Sequence, residues 1–292
     1  MTPWEKEWRA LEKREQQYLD KKKAKKISAL NQLLEDKVPP NLQGRLDTAF
    51  SKAFGLVFEK GTGIIEKTYK KQQMEEDYQI HAFTAEVKKD RKSLRNFSKK
   101  ANTSGNKNLL LSGVEGVGLG ILGIGLPDIP LFTGMILKSI YEIALHYGYG
   151  YETEEEKYFI LLLIRCALAR ERAWEKAKER MQAFLIEEQL PPCYDRELEI
   201  QKTAEVLSQE LLYMKFLQGL PVVGAVGGAY DAIYLNAILQ YGKIVYKKRF
   251  LLKHKGDKHG TESGNRTALK ENCQDSHGFS NQVRNSSSEQ PH

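Results

Sequence analysis

Chemistry in this 292-residue chain would have to come from single charges set in apolar sequence. Glu115 is the one charge between Leu109 and Leu126, Arg165 the one charge between Tyr158 and Ala169, and Asp128, Glu142 and Asp231 stand in similar surroundings. A carboxylate or guanidinium buried without a counter-charge costs several kcal/mol, so these five are the candidate buried polar cluster, the polar pocket of an enzyme or small-ligand binder. Arg165 should meet a carboxylate from another apolar segment, Asp231 first and Glu142 second. Glu142 has Lys138 one turn away as a rival partner, and Arg165 has a rival arrangement with its stem along the apolar surface and its head in water.

Other catalytic patterns are absent. There is no Gly-x-Ser-x-Gly, no His-Glu-x-x-His and no phosphate loop ending in Gly-Lys-Ser/Thr. Gly118-x-Gly120-x-x-Gly123 matches a dinucleotide fingerprint as a string, but Leu126-Pro127 breaks the chain at once and no βαβ pattern surrounds it. His81 and His146 have no neighbours at ligand spacing and read as structural, and Asp128 reads first as a helix cap before Pro130. No catalytic residue, cofactor site or metal site is expected.

The elements that must position the isolated charges are helical. Leu42, Leu46, Ala49, Phe50, Ala53, Phe54, Val57 and Phe58 recur at spacings of three and four, and Gly61-Thr-Gly63 interrupts that pattern. A further helical stretch spans 64–97, and 102–108 reads as a loop. Leu109 to Leu126 is apolar and rich in glycine; Pro127-Asp128-Ile129-Pro130 then precedes a second apolar helix ending at Gly148. Thr153 to Glu156 is a capping box opening one long helix to about Leu190, followed by helices over 195–218 and 222–252. Gly116 and Gly120, like Gly224 and Gly228, are four apart and allow helices to pack closely. No strand pattern appears, so the expectation is an all-α multi-helix bundle with two glycine-rich apolar units and a disordered C-terminal tail.

Charge is unevenly spread. Residues 1–107 hold 24 basic against 15 acidic residues. The densest run is Lys21, Lys22, Lys23, Lys25 and Lys26, in a charged helical pattern from Trp4 to about Leu34. Such a run suits anionic lipid; nucleic acid is not expected, because no aromatic ladder follows it. A solvated helix face is the plainer reading, since Glu12, Glu15 and Asp20 interleave with the lysines. The first residues lack a signal-peptide pattern, and three widely spaced cysteines fit a reducing compartment.

One resemblance sharpens this reading. Gly125-Leu126-Pro127-Asp128-Ile129-Pro130, Ile140-Tyr141-Glu142-Ile143-Ala144, Tyr147-Gly148 and Glu155-Glu156-Lys157-Tyr158, with Pro221-Val222-Val223-Gly224 and Arg249-Phe250-Leu251 downstream, resemble the EcsC protein family over about 39–252. The resemblance implies a helical, mainly bacterial protein whose family name is linked to an ABC-transporter operon, and it brings no catalytic residues.

The resulting expectation is a charged N-terminal helix (1–38), an EcsC-like domain (39–252) and a hydrophilic tail (253–292). The protein should be cytoplasmic and non-enzymatic. It should associate with the inner face of the membrane or with a membrane-protein partner, an ABC transporter among the candidates. A hydrophobic hairpin over 109–145 is the segment expected to enter the bilayer or pack in the core.

Overall fold

The structure is a computed structural model that describes residues 1–24, 40–103, 129–218 and 229–256. Among these residues every regular element is a helix. The central one is α7 (Glu154–Leu168), in which every residue from Tyr158 to Leu168 is buried, Arg165 included. A helix apolar on all sides must be enclosed by others. It is enclosed by α8 (Glu171–Glu187), α9 (Arg196–Gln218) and α10 (Ala229–Gly256).

The second apolar helix, α6 (Ile129–His146), packs on α10 and buries Ile136, Leu137, Ile140, Ile143 and Ala144 completely. That part of the expected hairpin is therefore core. Its other arm, residues 109–128, lies outside the described residues. Outer helices complete the bundle: α1 (Pro3–Ala24) against α10, α2 (Pro40–Leu56) against α9, and α4 (Lys71–Lys88) against α6. Between α2 and α4 lie a π-helical turn (Val57–Gly61) and the short α3 (Thr62–Glu66); α5 spans 91–103. The expected break at Gly61-Thr-Gly63 is thus a widened turn rather than an end.

Local chemistry sets the boundaries. Thr153 Oγ1 accepts from the backbone N–H of Glu156, so the cap expected there is made. Asp195 does the same for the N–H of Leu198 at the start of α9, and Asp90 for the N–H of Ser93 in α5. The helix expected to run unbroken from Thr153 to Leu190 instead breaks at Ala169 and Arg170, which are extended, before Glu171 at φ 46°. The break turns the charged sequence of α8 outward while α7 stays enclosed. Gly148 (φ 79°) ends α6 as expected, and a Cβ there would fall 2.1 Å from the ring of Tyr78.

The N-terminal helix is part of the bundle. Leu11 and Glu7 are buried, Trp4 Nε1 donates to the carbonyl of Leu251, and Tyr18 stacks on Tyr241. The Lys248 ammonium pairs with Glu15 at 2.7 Å. Residues 25–39, and 257–292 of the expected tail, lie outside the described residues. Cys166 is a buried free thiol.

Burial of His146 at the end of α6 pushes its pKa down to about 4, with the Lys100 charge acting in the same direction. The unfolded chain then binds a proton near pH 6.5 that the folded chain refuses until about pH 4. Stability contributed by neutral His146 should accordingly be complete above pH 6.5 and fall by about 3 kcal/mol as the pH drops to 4. Buried Glu156, raised by desolvation, works in the opposite sense. Urea unfolding at intervals from pH 7 to 4.5 should show this decline, and His146→Asn should flatten it.

Candidate functional site

Two polar clusters sit at opposite ends of α7. At its C-terminal end Arg165 is buried and its guanidinium donates to Glu199 of α9. Glu199 also receives Arg180 from α8 at 3.2 Å and Lys202 at 3.1 Å. Burial alone would raise the Glu199 carboxyl; Arg165 and Lys202 overcome it and hold the group below its ordinary range. At the N-terminal end Glu156 accepts from Tyr246 Oη at 2.6 Å and from Arg249 at 2.7 Å. Arg249 also donates to Glu188 at 3.1 Å, and its guanidinium lies 4.0 Å over the Tyr149 ring.

Every carboxylate oxygen of Glu156 and Glu199 is engaged, so these clusters are built to hold helices rather than to accept a substrate. A groove of about 480 Å³ between α2 and α9 lies elsewhere: Asp47, Thr48, Ser51, Lys52, Arg196 and Glu197 line it. Beneath it Ser208 donates to Asp47, and Gln43 to Ser208. Among the described residues no group of three or more His, Cys, Asp or Glu is placed to hold a metal ion.

The expected cluster is only partly brought together. Arg165 is buried and paired, but with Glu199 rather than Glu142, which lies 3.7 Å from Lys138 on its own helix. Glu199 was not a sequence candidate, because α9 is charged throughout and nothing singles it out. Glu115, Asp128, Gly116, Gly120, Gly224 and Gly228 lie outside the described residues, as does the side chain of Asp231. Of the lysine run, Lys21 is exposed, while Lys22 donates to the carbonyl of Ala167 at 2.6 Å and is directed inward. The side chain of Lys23 and all of Lys25 and Lys26 lie outside the described residues.

The surface carries a feature that sequence reading missed. On α4, Met74, Tyr78, Ala82 and Ala85 pack against the core, whereas Ile80, Phe83 and Val87 are 62%, 68% and 64% exposed. At 3.6 residues per turn the two sets lie roughly 180° apart on the helix. Lys88, Lys89, Arg91, Lys92, Arg95, Lys99 and Lys100 follow directly, all exposed, with Asp90 the one acid among them. Arg91 pairs with Glu7 and Lys100 with Asp77; no ion pair engages the other five among the described residues. A solvent-facing apolar stripe running into unpaired cations can dip into apolar material while meeting negative charge.

The buried cluster makes an asymmetric prediction. Glu199→Gln strands the enclosed Arg165 and should cost about 3 to 5 kcal/mol. Arg165→Met leaves Glu199 with two other cations and should cost less. In urea unfolding the double variant should lie near Arg165→Met alone; simple additivity would mean that the two groups are not coupled.

Comparison with known proteins bears on the whole bundle. The model of the EcsC protein family matches residues 5–251, taking in the N-terminal helix that the resemblance had left outside. The uncharacterized protein YdbA of Bacillus subtilis (strain 168) is 28% identical over 145 residues, 48% of this chain and 52% of YdbA, so the match spans about half of that relative. No solved structure matches. With α1 packed on α10 and the match running from one to the other, the chain belongs to the EcsC protein family.

Proposed function

We propose that this protein is a peripheral membrane protein that docks on anionic lipid at the inner leaflet through α4 and α5. The single observation behind this reading is the exposed stripe Ile80, Phe83 and Val87 leading into Lys88, Lys89, Lys92, Arg95 and Lys99. Burial of a large apolar side chain contributes about 1.5 to 3 kcal/mol. Each cation near an anionic surface adds roughly 1 kcal/mol. Three side chains and five cations are thus on the scale of reversible attachment, well short of the insertion of a spanning helix. Among the described residues no helix is long and apolar enough to cross a membrane.

Charge complementarity selects lipid as the occupant. A protein partner for the stripe would need an acidic rim around an apolar groove, and the same test separates it. The ligand-binding alternative draws less support, because the groove between α2 and α9 is not lined by Arg165, Glu142, Glu156 or Glu199.

Vesicle flotation of the full chain tests the proposal. Binding should be strong to vesicles containing phosphatidylglycerol, weak to pure phosphatidylcholine, and only partly lost in high salt. Phe83→Asp should reduce binding by 10-fold or more, on the order of one buried aromatic group. Substitution of Lys88, Lys89 and Lys92 by Gln should remove the preference for anionic lipid. Absence of flotation with either lipid, or flotation indifferent to Phe83→Asp, would contradict the reading and direct attention to a protein partner.

A further inference from the structure

Helix α5 lies between two others in the outer layer of the bundle. Its Arg91 pairs with Glu7 of α1 at 2.6 Å, and its Lys100 pairs with Asp77 of α4 at 3.1 Å. Nine residues of helix turn the chain through about 900°, so these two contacts leave α5 on opposite sides. Between them on the inner side Phe97 and Ala101 are buried, and between them on the outer side Lys92, Arg95 and Lys99 are exposed. Helices α1 and α4 therefore flank α5, with its cations facing out between its two neighbours.

The outward side of α1 is also basic. Its inward side is set by Leu11 and Glu7, both buried, and by Trp4 and Tyr18, which pack on the core. Arg14 and Lys21 follow Glu7 at intervals of seven residues, nearly two full turns, and so continue the line from which Glu7 reaches Arg91. Lys6 and Lys13 lie about 100° further round, away from Leu11. All four cations are exposed, and none makes an ion pair among the described residues. Asp20 is the acid on this side; Glu5 and Glu12 fall about 100° further round again, and Glu15 is held by Lys248. A helix that only covered the core in water would gain from interleaving those acids with the lysines. Cations gathered on one side repel each other, and a negative surface turns that cost into attraction.

We propose that α1 adds a second, purely electrostatic contact with the same anionic lipid surface, through Lys6, Lys13, Arg14 and Lys21. The inference rests on the membrane reading of α4 and α5 and extends the contact across three neighbouring helices. Continuity with the apolar stripe favours lipid over nucleic acid, because a bilayer uses the stripe and the cations together. The contacts differ in kind: apolar burial by α4 persists in salt, whereas attraction through α1 is screened over about 8 Å at physiological ionic strength.

Flotation of the full chain with vesicles containing phosphatidylglycerol, across a series of salt concentrations, tests the contact. Replacing Lys6, Lys13, Arg14 and Lys21 by Gln should weaken binding at least 10-fold at low salt and make little difference in high salt. Replacing Arg45, Lys52, Arg172 and Lys176 by Gln removes the same charge from exposed positions on α2 and α8, outside this layer, and should weaken binding far less. Lys6→Arg, Lys13→Arg and Lys21→Arg together keep the charge and should bind as the parent does, which separates loss of contact from loss of folding. Flotation that still depends on Phe83, Lys88, Lys89 and Lys92 but is unchanged by the α1 substitutions, or is weakened equally by the two Gln sets, would overturn the α1 contact and leave the reading of α4 and α5 standing. Absence of flotation by the parent would overturn both. Binding to duplex DNA that the α1 substitutions abolish while flotation is intact would overturn the lipid contact and assign this face to nucleic acid.

Discussion

Enclosure of α7 on every side is the constraint from which the rest of the bundle follows. Burying Tyr158 to Leu168 supplies the largest continuous share of the core, but it takes Glu156 and Arg165 out of water with it. Each needs an opposite charge brought by another helix, since an enclosed ion left alone is costly. Arg249 on α10 meets the first and Glu199 on α9 meets the second, so the two pairs fix which helices lie against α7 and in what register. The ion pairs specify the arrangement more than they strengthen it; apolar contact carries the stability.

This division leaves the outer helices with charged sequence and narrow apolar faces. The α1 helix shows the pattern: Leu11 and Tyr18 face inward, Glu7 and Glu15 bind lysines of α10, and Lys22 reaches the carbonyl of Ala167. Against that background α4 is unusual, because it spends large apolar residues on both faces although only one is covered. A stripe of exposed Ile80, Phe83 and Val87 contributes nothing to folding and raises the risk of aggregation. Its position beside unpaired cations is what the proposed docking on an anionic, apolar-backed surface would use.

Much of the helical layout was legible because its signals are local. Thr153, Asp195 and Gly148 mark helix boundaries by side-chain capping or by φ, and the structure uses each in that way. The need of Arg165 for a partner was also readable, being a matter of desolvation. Glu199 was not, because its role depends on which face of α9 meets α7, and no local pattern encodes that. The α4 stripe escaped notice for a related reason: apolar residues on opposite faces cancel the one-sided periodicity by which amphipathic helices are recognised. Lys88 to Lys100 was hidden by Leu94 and Phe97, whose burial anchors α5 and directs the cations outward. Lys22 misled in the other direction, since only packing reveals that it caps the end of α7 at Ala167.

The depth of residue 83 at a lipid surface tests the membrane account most directly. Phe83→Trp adds one indole to those of Trp4, Trp8 and Trp174, and brominated acyl chains in phosphatidylglycerol vesicles quench only indoles that reach the hydrocarbon. The account predicts quenching in Phe83→Trp well beyond that of the parent protein, with a blue-shifted emission from the added residue. Quenching equal to the parent, at lipid concentrations where the protein is bound, would show that α4 does not enter the bilayer and would contradict the account.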